Sequence, residues 1–199
     1  MAFRTLTVEE FADALAARTP APGGGAVAAV TLAHAAALGS MVLEFTLGKP
    51  AFAAHEGSNA AVLARLRELR HAALALADRD AEAYGALNAL WKLPKDAPAR
   101  QGPAWDTAVA EAIDAPQAIL EAAAEVASTC SGLAARTNAN LASDLAIAVD
   151  LARVAARAAA HNVAVNLPSV RDAAAREARR ARMDAALAAA GAVAGAAHA

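Results

Sequence analysis

The sequence predicts an all-α fold, a single-domain bundle of long helices around one buried apolar helix, paired with a second copy of itself. Three observations carry this. No stretch alternates apolar and polar residues with the period of a half-buried strand. Clusters of proline and glycine divide the chain into long runs with helical spacing. Residues 26–47 are apolar on nearly every side, which marks a helix covered all round by others. Hydrophobic residues make up 58% of the 199 positions and aromatics only 4%, so the core is alanine with leucine and valine. Side chains that small let helices approach closely.

The elements follow in order. Thr7 and Glu10 form a capping-box pattern, and Val8, Phe11, Ala12 and Leu15 set a helical stripe over 8–17. Pro20 and Pro22 bar a helix through 19–21. Gly23, Gly24 and Gly25 then make a turn bare of side chains, and only Gly39, at about 1 kcal/mol relative to alanine, weakens the central helix over 26–47. After a loop at 48–50, a third helix runs from about 51 to 91, with Gly57 as its weakest point. Pro94, Pro98, Gly102 and Pro103 mark an irregular connection. Helix resumes near Trp105, and Pro116 is placed for the first turn of a further helix reaching about 136. Residues 137–140 break the pattern, a helix over about 141–165 stops before Pro168, and a last one spans about 169–190 ahead of an alanine and glycine tail.

Composition excludes several functions. A formal net charge of -2 offers no footprint for nucleic acid, and the arginines at 171, 176, 179, 180 and 182 alternate with acids, as on a solvated helix face. Cys130 is the only cysteine, so no disulfide forms within the chain, and no secretory pattern opens it; the cytoplasm is the expected compartment. His34 and Glu44 lie in or beside the apolar run with Thr31, Ser40 and Thr46, which argues against a membrane span. His55 and Glu56 begin like the zinc motif H-E-x-x-H, but Asn59 takes the second histidine's place, His34, His71, His161 and His198 are scattered, and no metal is assigned.

Two places gather groups suited to a ligand. The glycine turn at 23–25 opens a helix whose first amides can accept an anion, although the same glycines also serve as a plain close-packing turn. Asn138, Asn140, Ser143 and Asp144 crowd one helix start, more polar groups than capping needs. Lys49, Lys92 and Lys95 are the only lysines, all at helix ends, and lysine titrates when desolvated where arginine does not.

These residues resemble the cyclodeaminase/cyclohydrolase family, which includes the cyclodeaminase domain of formiminotransferase-cyclodeaminase and the methenyltetrahydrofolate cyclohydrolases. The likeness rests on Thr19-Pro20-Ala21-Pro22-Gly23-Gly24-Gly25-Ala26, Thr46-Leu47-Gly48-Lys49, Leu93-Pro94-Lys95, Asn138-Ala139-Asn140 with Ser143-Asp144, and Asn162-Val163 with Asn166-Leu167, over about residues 8–172. It implies an all-helical homodimer with a folate groove among helix ends near the subunit interface. It also implies a tetrahydrofolate derivative as substrate, with either hydrolysis of a methenyl bridge to 10-formyltetrahydrofolate or closure of a formimino group with loss of ammonia. The absence of an attached transferase segment tilts the expectation toward hydrolysis. Carried over, Asp144 is the catalytic carboxylate and Lys49 the proton-handling or orienting cation. Pro22, Gly23, Gly24, Gly25, Asn138, Asn140, Ser143 and Asn162 line the groove. The chain departs from the family pattern at Pro50 after Lys49, at Thr137 and over 96–106.

If Asp144 and Asn162 share a helix, their 18-residue separation spans about 27 Å, so both cannot touch one reacting carbon. The reading therefore expects the glycine turn and the Asp144 helix start to line one cleft, within a protomer or across a twofold axis. The alternative from another class is a non-catalytic helical dimer that binds folate or another anion.

Overall fold

The computed structural model describes residues 2–192; Met1, His198 and the rest of the terminal tail lie outside them. Every regular element among the described residues is helical: α1 Val8–Ala16, α2 Gly24–Glu44, α3 Glu56–Trp91, α4 Pro98–Gln101, α5 Pro103–Ser131, α6 Ala142–Asn166 and α7 Ala173–Gly191, linked by short 3-10 turns. Thr7 caps α1 as its spacing predicts. Its hydroxyl accepts from the Glu10 amide at 3.2 Å, and the Glu10 carboxylate accepts from the Thr7 amide at 2.8 Å.

Helices α2, α3, α5 and α6 run alternately up and down around one core. The residues that meet fix these directions. Arg65 pairs with Glu125 and Arg79 with Glu111 between α3 and α5, Asn166 of α6 reaches Ala112 of α5, and the Asn138 amide ahead of α6 reaches Thr46 just after α2. The bundle therefore has a Gly23 end, where α2 and α5 start, and a Lys49 end, where α3 and α6 start.

Helix α2 is central because 12 of its 21 residues are buried, half of them alanine. It is apolar and long enough to cross a membrane, yet 61% of its most apolar window is buried by the other helices. Gly39 shows why small residues are used. A Cβ there would stand 2.7 Å from Cys130 Sγ and 3.2 Å from Leu66 Cδ1, so glycine lets α2 close on α3 and α5.

Several expected boundaries move. Gly24 and Gly25 belong to the first turn of α2 rather than to the loop, and the helix ends at Glu44, short of Leu47. Residues 50–55 form a 3-10 turn, and Gly57 sits harmlessly in the first turn of α3. Helix α7 begins at Ala173, where the Asp172 carboxylate accepts from the Ala175 amide at 2.7 Å, not at Ser169. The main correction concerns Pro116, which lies inside an unbroken α5 instead of opening a new helix. Proline removes the amide that Ala112's carbonyl would accept from; the Asn166 side chain donates to that carbonyl instead, at 3.0 Å. The arginine cluster also does more than face solvent, since Arg179 and Arg182 reach Asp114 and Glu121 of α5 at 2.6 Å and hold α7 in place.

Candidate functional site

At the Gly23 end, Pro22 is buried, and Gly23 is the N-cap of α2 with no side chain to offer the helix. Asp80 of α3 stands against it. A methyl group at Gly25 would overlap the Asp80 carboxylate, so the bare glycine is what lets the carboxylate sit in the place of a side chain. Asp80 is half-buried, on the face of α3 that carries the buried Leu66, Leu69, Ala73, Ala77 and Leu87. Burial strips water from the carboxylate and pushes its pKa from 3.8 up to about 6. The positive end of α2 favours the anion, so both protonation states are within reach near neutrality. Asn162 of α6 completes this end: its side chain lies 3.6 Å from where a Cβ of Gly24 would be, and its Nδ2 donates to the Ala158 carbonyl at 3.1 Å.

Sequence spacing alone does not single out Asp80. The signal available was a carboxylate at the core register of an otherwise leucine and alanine stripe.

The Lys49 end holds the other expected residues. Gly48 turns the chain at φ +74°, a conformation that favours glycine, and its amide donates to both Glu56 carboxylate oxygens at 3.2 Å. Lys49 is exposed just ahead of the 3-10 turn. The Asn138 amide donates to Thr46 Oγ1 at 3.1 Å, and its side-chain oxygen accepts from the Asn140 amide at 3.2 Å, so this side chain caps the short turn before α6. Asn140 and Ser143 are exposed, and Asp144 is half-buried in the first turn of α6. Asn59, at the place of the absent second histidine, is buried and donates to the Arg136 carbonyl at 3.0 Å. Among the described residues no three His, Cys, Asp or Glu side chains are grouped as metal ligands.

The structure thus brings Pro22, Gly23, Gly24 and Gly25 together with Asn162, and Lys49 together with Asn138, Asn140, Ser143 and Asp144. It does not bring the two groups together within one chain. The 21 residues of α2, about 30 Å, separate them. A hollow of about 410 Å³ beside the Gly23 end is lined by Phe3, Thr19, Pro22, Asp78 and Glu82. A hollow of about 790 Å³ between α3 and α5, lined by Arg79, Leu90, Thr107 and Glu111 among others, contains none of the expected site residues.

The family model for formiminotransferase-cyclodeaminase matches residues 7–185. The chain belongs to this family. Within it, the chain is 35% identical over 141 residues to the methenyltetrahydrofolate cyclohydrolase of Methylorubrum extorquens, covering 69% of this chain and 68% of that one. It is 35% identical over 146 residues to the formimidoyltransferase-cyclodeaminase of Sus scrofa, covering 67% of this chain but only 26% of that longer protein. The crystal structure of formiminotetrahydrofolate cyclodeaminase from Thermotoga maritima matches with a TM-score of 0.88 at 29% identity, covering 95% of this chain and 92% of that one. The all-helical fold read from the sequence is therefore the fold of this family member.

Proposed function

We propose that this formiminotransferase-cyclodeaminase family member is a cytoplasmic folate one-carbon enzyme, a methenyltetrahydrofolate cyclohydrolase or a formiminotetrahydrofolate cyclodeaminase, working without a metal as a homodimer of one-domain chains. The observation that carries the reading is the Asp80 carboxylate, held against the glycine-bare start of α2 with a pKa near 6. The names of the relatives supply the substrate class.

Both reactions pass through a tetrahedral carbon and need one proton moved between two heteroatoms. In hydrolysis, ionised Asp80 takes a proton from water as the oxygen bonds to the methenyl carbon. The carbon–N5 bond then breaks, its electron pair stays on N5, Asp80 returns the proton to N5, and the hydroxyl proton leaves to solvent as the formyl group forms on N10. In cyclodeamination the same shuttle carries the N10 proton to the departing amino group, which leaves as ammonia. A carboxylate with a pKa near the working pH suits both halves of such a step.

The outer side of α2 and α6 supports dimerisation, since Phe45, Ile147, Val154 and Val165 are 57%, 49%, 46% and 71% exposed. With a twofold axis on this side perpendicular to α2, the two α2 helices run antiparallel and the Lys49 end of one copy lies beside the Gly23 end of the other. The ligand then lies along Pro22, Gly23, Gly24, Gly25 and Asn162 of one chain. Asn138, Asn140, Ser143, Lys49 as orienting cation and Asp144 as a carboxylate beside the cationic carbon come from the second copy. Following methenyltetrahydrofolate absorbance and ammonia release from formiminotetrahydrofolate, with wild type and Asp80→Asn, tests the reading. Turnover lost in the variant supports it, and folate binding without turnover leaves a non-catalytic binding dimer.

A further inference from the structure

A proline within a helix leaves the carbonyl four residues earlier without its amide, and a buried carbonyl left unpaired is costly. In α5 that carbonyl belongs to Ala112, opposite Pro116, and both residues are buried. Asn166 of α6, only 8% exposed, meets the gap. Its Nδ2 donates to the Ala112 carbonyl at 3.0 Å and to the Asn162 carbonyl, also at 3.0 Å. The two protons of one amide group therefore tie the last turn of α6 both to the middle of α5 and to residue 162. That turn holds the Asn162 side chain beside Gly24.

We infer that Asn166 is a positioning residue for the Gly23-end site and that Pro116 is its counterpart. The proline opens a carbonyl that a side chain from α6 fills, which gives the end of α6 one register against α5 and sets where Asn162 meets the start of α2. An alanine at 116 would let α5 satisfy its own carbonyl, and the tie would lose its cross-helix purpose. The kinetic consequence rests on the proposed folate activity; the structural consequence does not.

The test uses four full-length proteins: wild type, Asn166→Leu, Pro116→Ala and the double variant. Each is followed by thermal unfolding, by the side-chain amide NMR resonance of Asn162, and by KM and kcat with methenyltetrahydrofolate. Asn166→Leu is expected to melt several degrees lower, to shift the Asn162 resonance and to raise KM about tenfold with a smaller change in kcat. The double variant is expected to regain most of the melting temperature, because Ala112 has an amide partner again, while the shifted resonance and raised KM persist. The inference is overturned if KM and resonance recover together with stability, or if Asn166→Leu leaves both melting and resonance as in wild type. Should Asn166→Leu not fold, the double variant measured against Pro116→Ala decides the same point. An inactive wild type would overturn the proposed function alone, since the unfolding and resonance readouts need no turnover.

Discussion

Asp80 stands where helix periodicity calls for an apolar side chain, and its consequences for activity and stability have opposite signs. On the proposed role of Asp80 as proton carrier, Asp80→Asn is expected to lower kcat by about 10²-fold or more in the folate assays, with the helical circular dichroism unchanged. Wild-type kcat/KM should fall as pH drops below about 6, where the carboxylate takes up a proton. For stability, the folded-state pKa lies above the unfolded value of 3.8, so the native state binds the proton more tightly. The chain is thus favoured at low pH and loses that advantage as pH rises through about 6. The shift of about two units corresponds to at most about 3 kcal/mol, less whatever solvent access returns. Asp80→Asn should therefore melt above wild type at pH 8, with the gap closing toward pH 4. Equal melting curves across that range would contradict a desolvated carboxylate at this position.

At the scale of the helix, glycines that look alike in the sequence are used differently. Gly85 in α3 has nothing within 4 Å of a would-be Cβ, whereas Gly39 in α2 is pressed against Cys130 and Leu66. Gly85→Ala is expected to stabilise the protein by about 0.5–1 kcal/mol through helix propensity alone. Gly39→Ala should destabilise it by about 1–3 kcal/mol, because the new methyl forces the helices apart. Denaturant unfolding of the two variants measures both. Proline behaves in the same way. The rule that places proline in a first turn misreads Pro116, since the rule considers one helix and the compensating donor, Asn166, comes from another. The capping box at Thr7 was legible because all its partners lie within three residues of one another.

For the whole molecule, the separation of the two residue groups along α2 means that the proposed site needs two chains. A charge at Ile147 or Val154, as in Ile147→Asp, should yield monomers in light scattering, with folate turnover lost alongside. Co-expressed Asp80→Asn and Asp144→Ala chains should recover about a quarter of wild-type activity, since half the dimers are mixed and each carries one complete site of two. Neither variant alone should be active. Absence of recovery in the mixture would contradict a site shared between the two chains.

Local order was readable from the chain alone: helix content, the cap of α1, the glycine turn, the burial of α2 and the family likeness all depend on short-range spacing and composition. What needed the tertiary structure was every relation across helices. Three consecutive glycines stand out in the sequence, but the partner of Gly25, Asp80, lies 55 residues further on and meets it only because α2 and α3 pack antiparallel. Lys49 and Asp144 share an end with each other but not with Gly23, which follows from helix length and direction. Periodicity tells which face of a helix is buried, whereas which residue faces which is decided only when the helices pack.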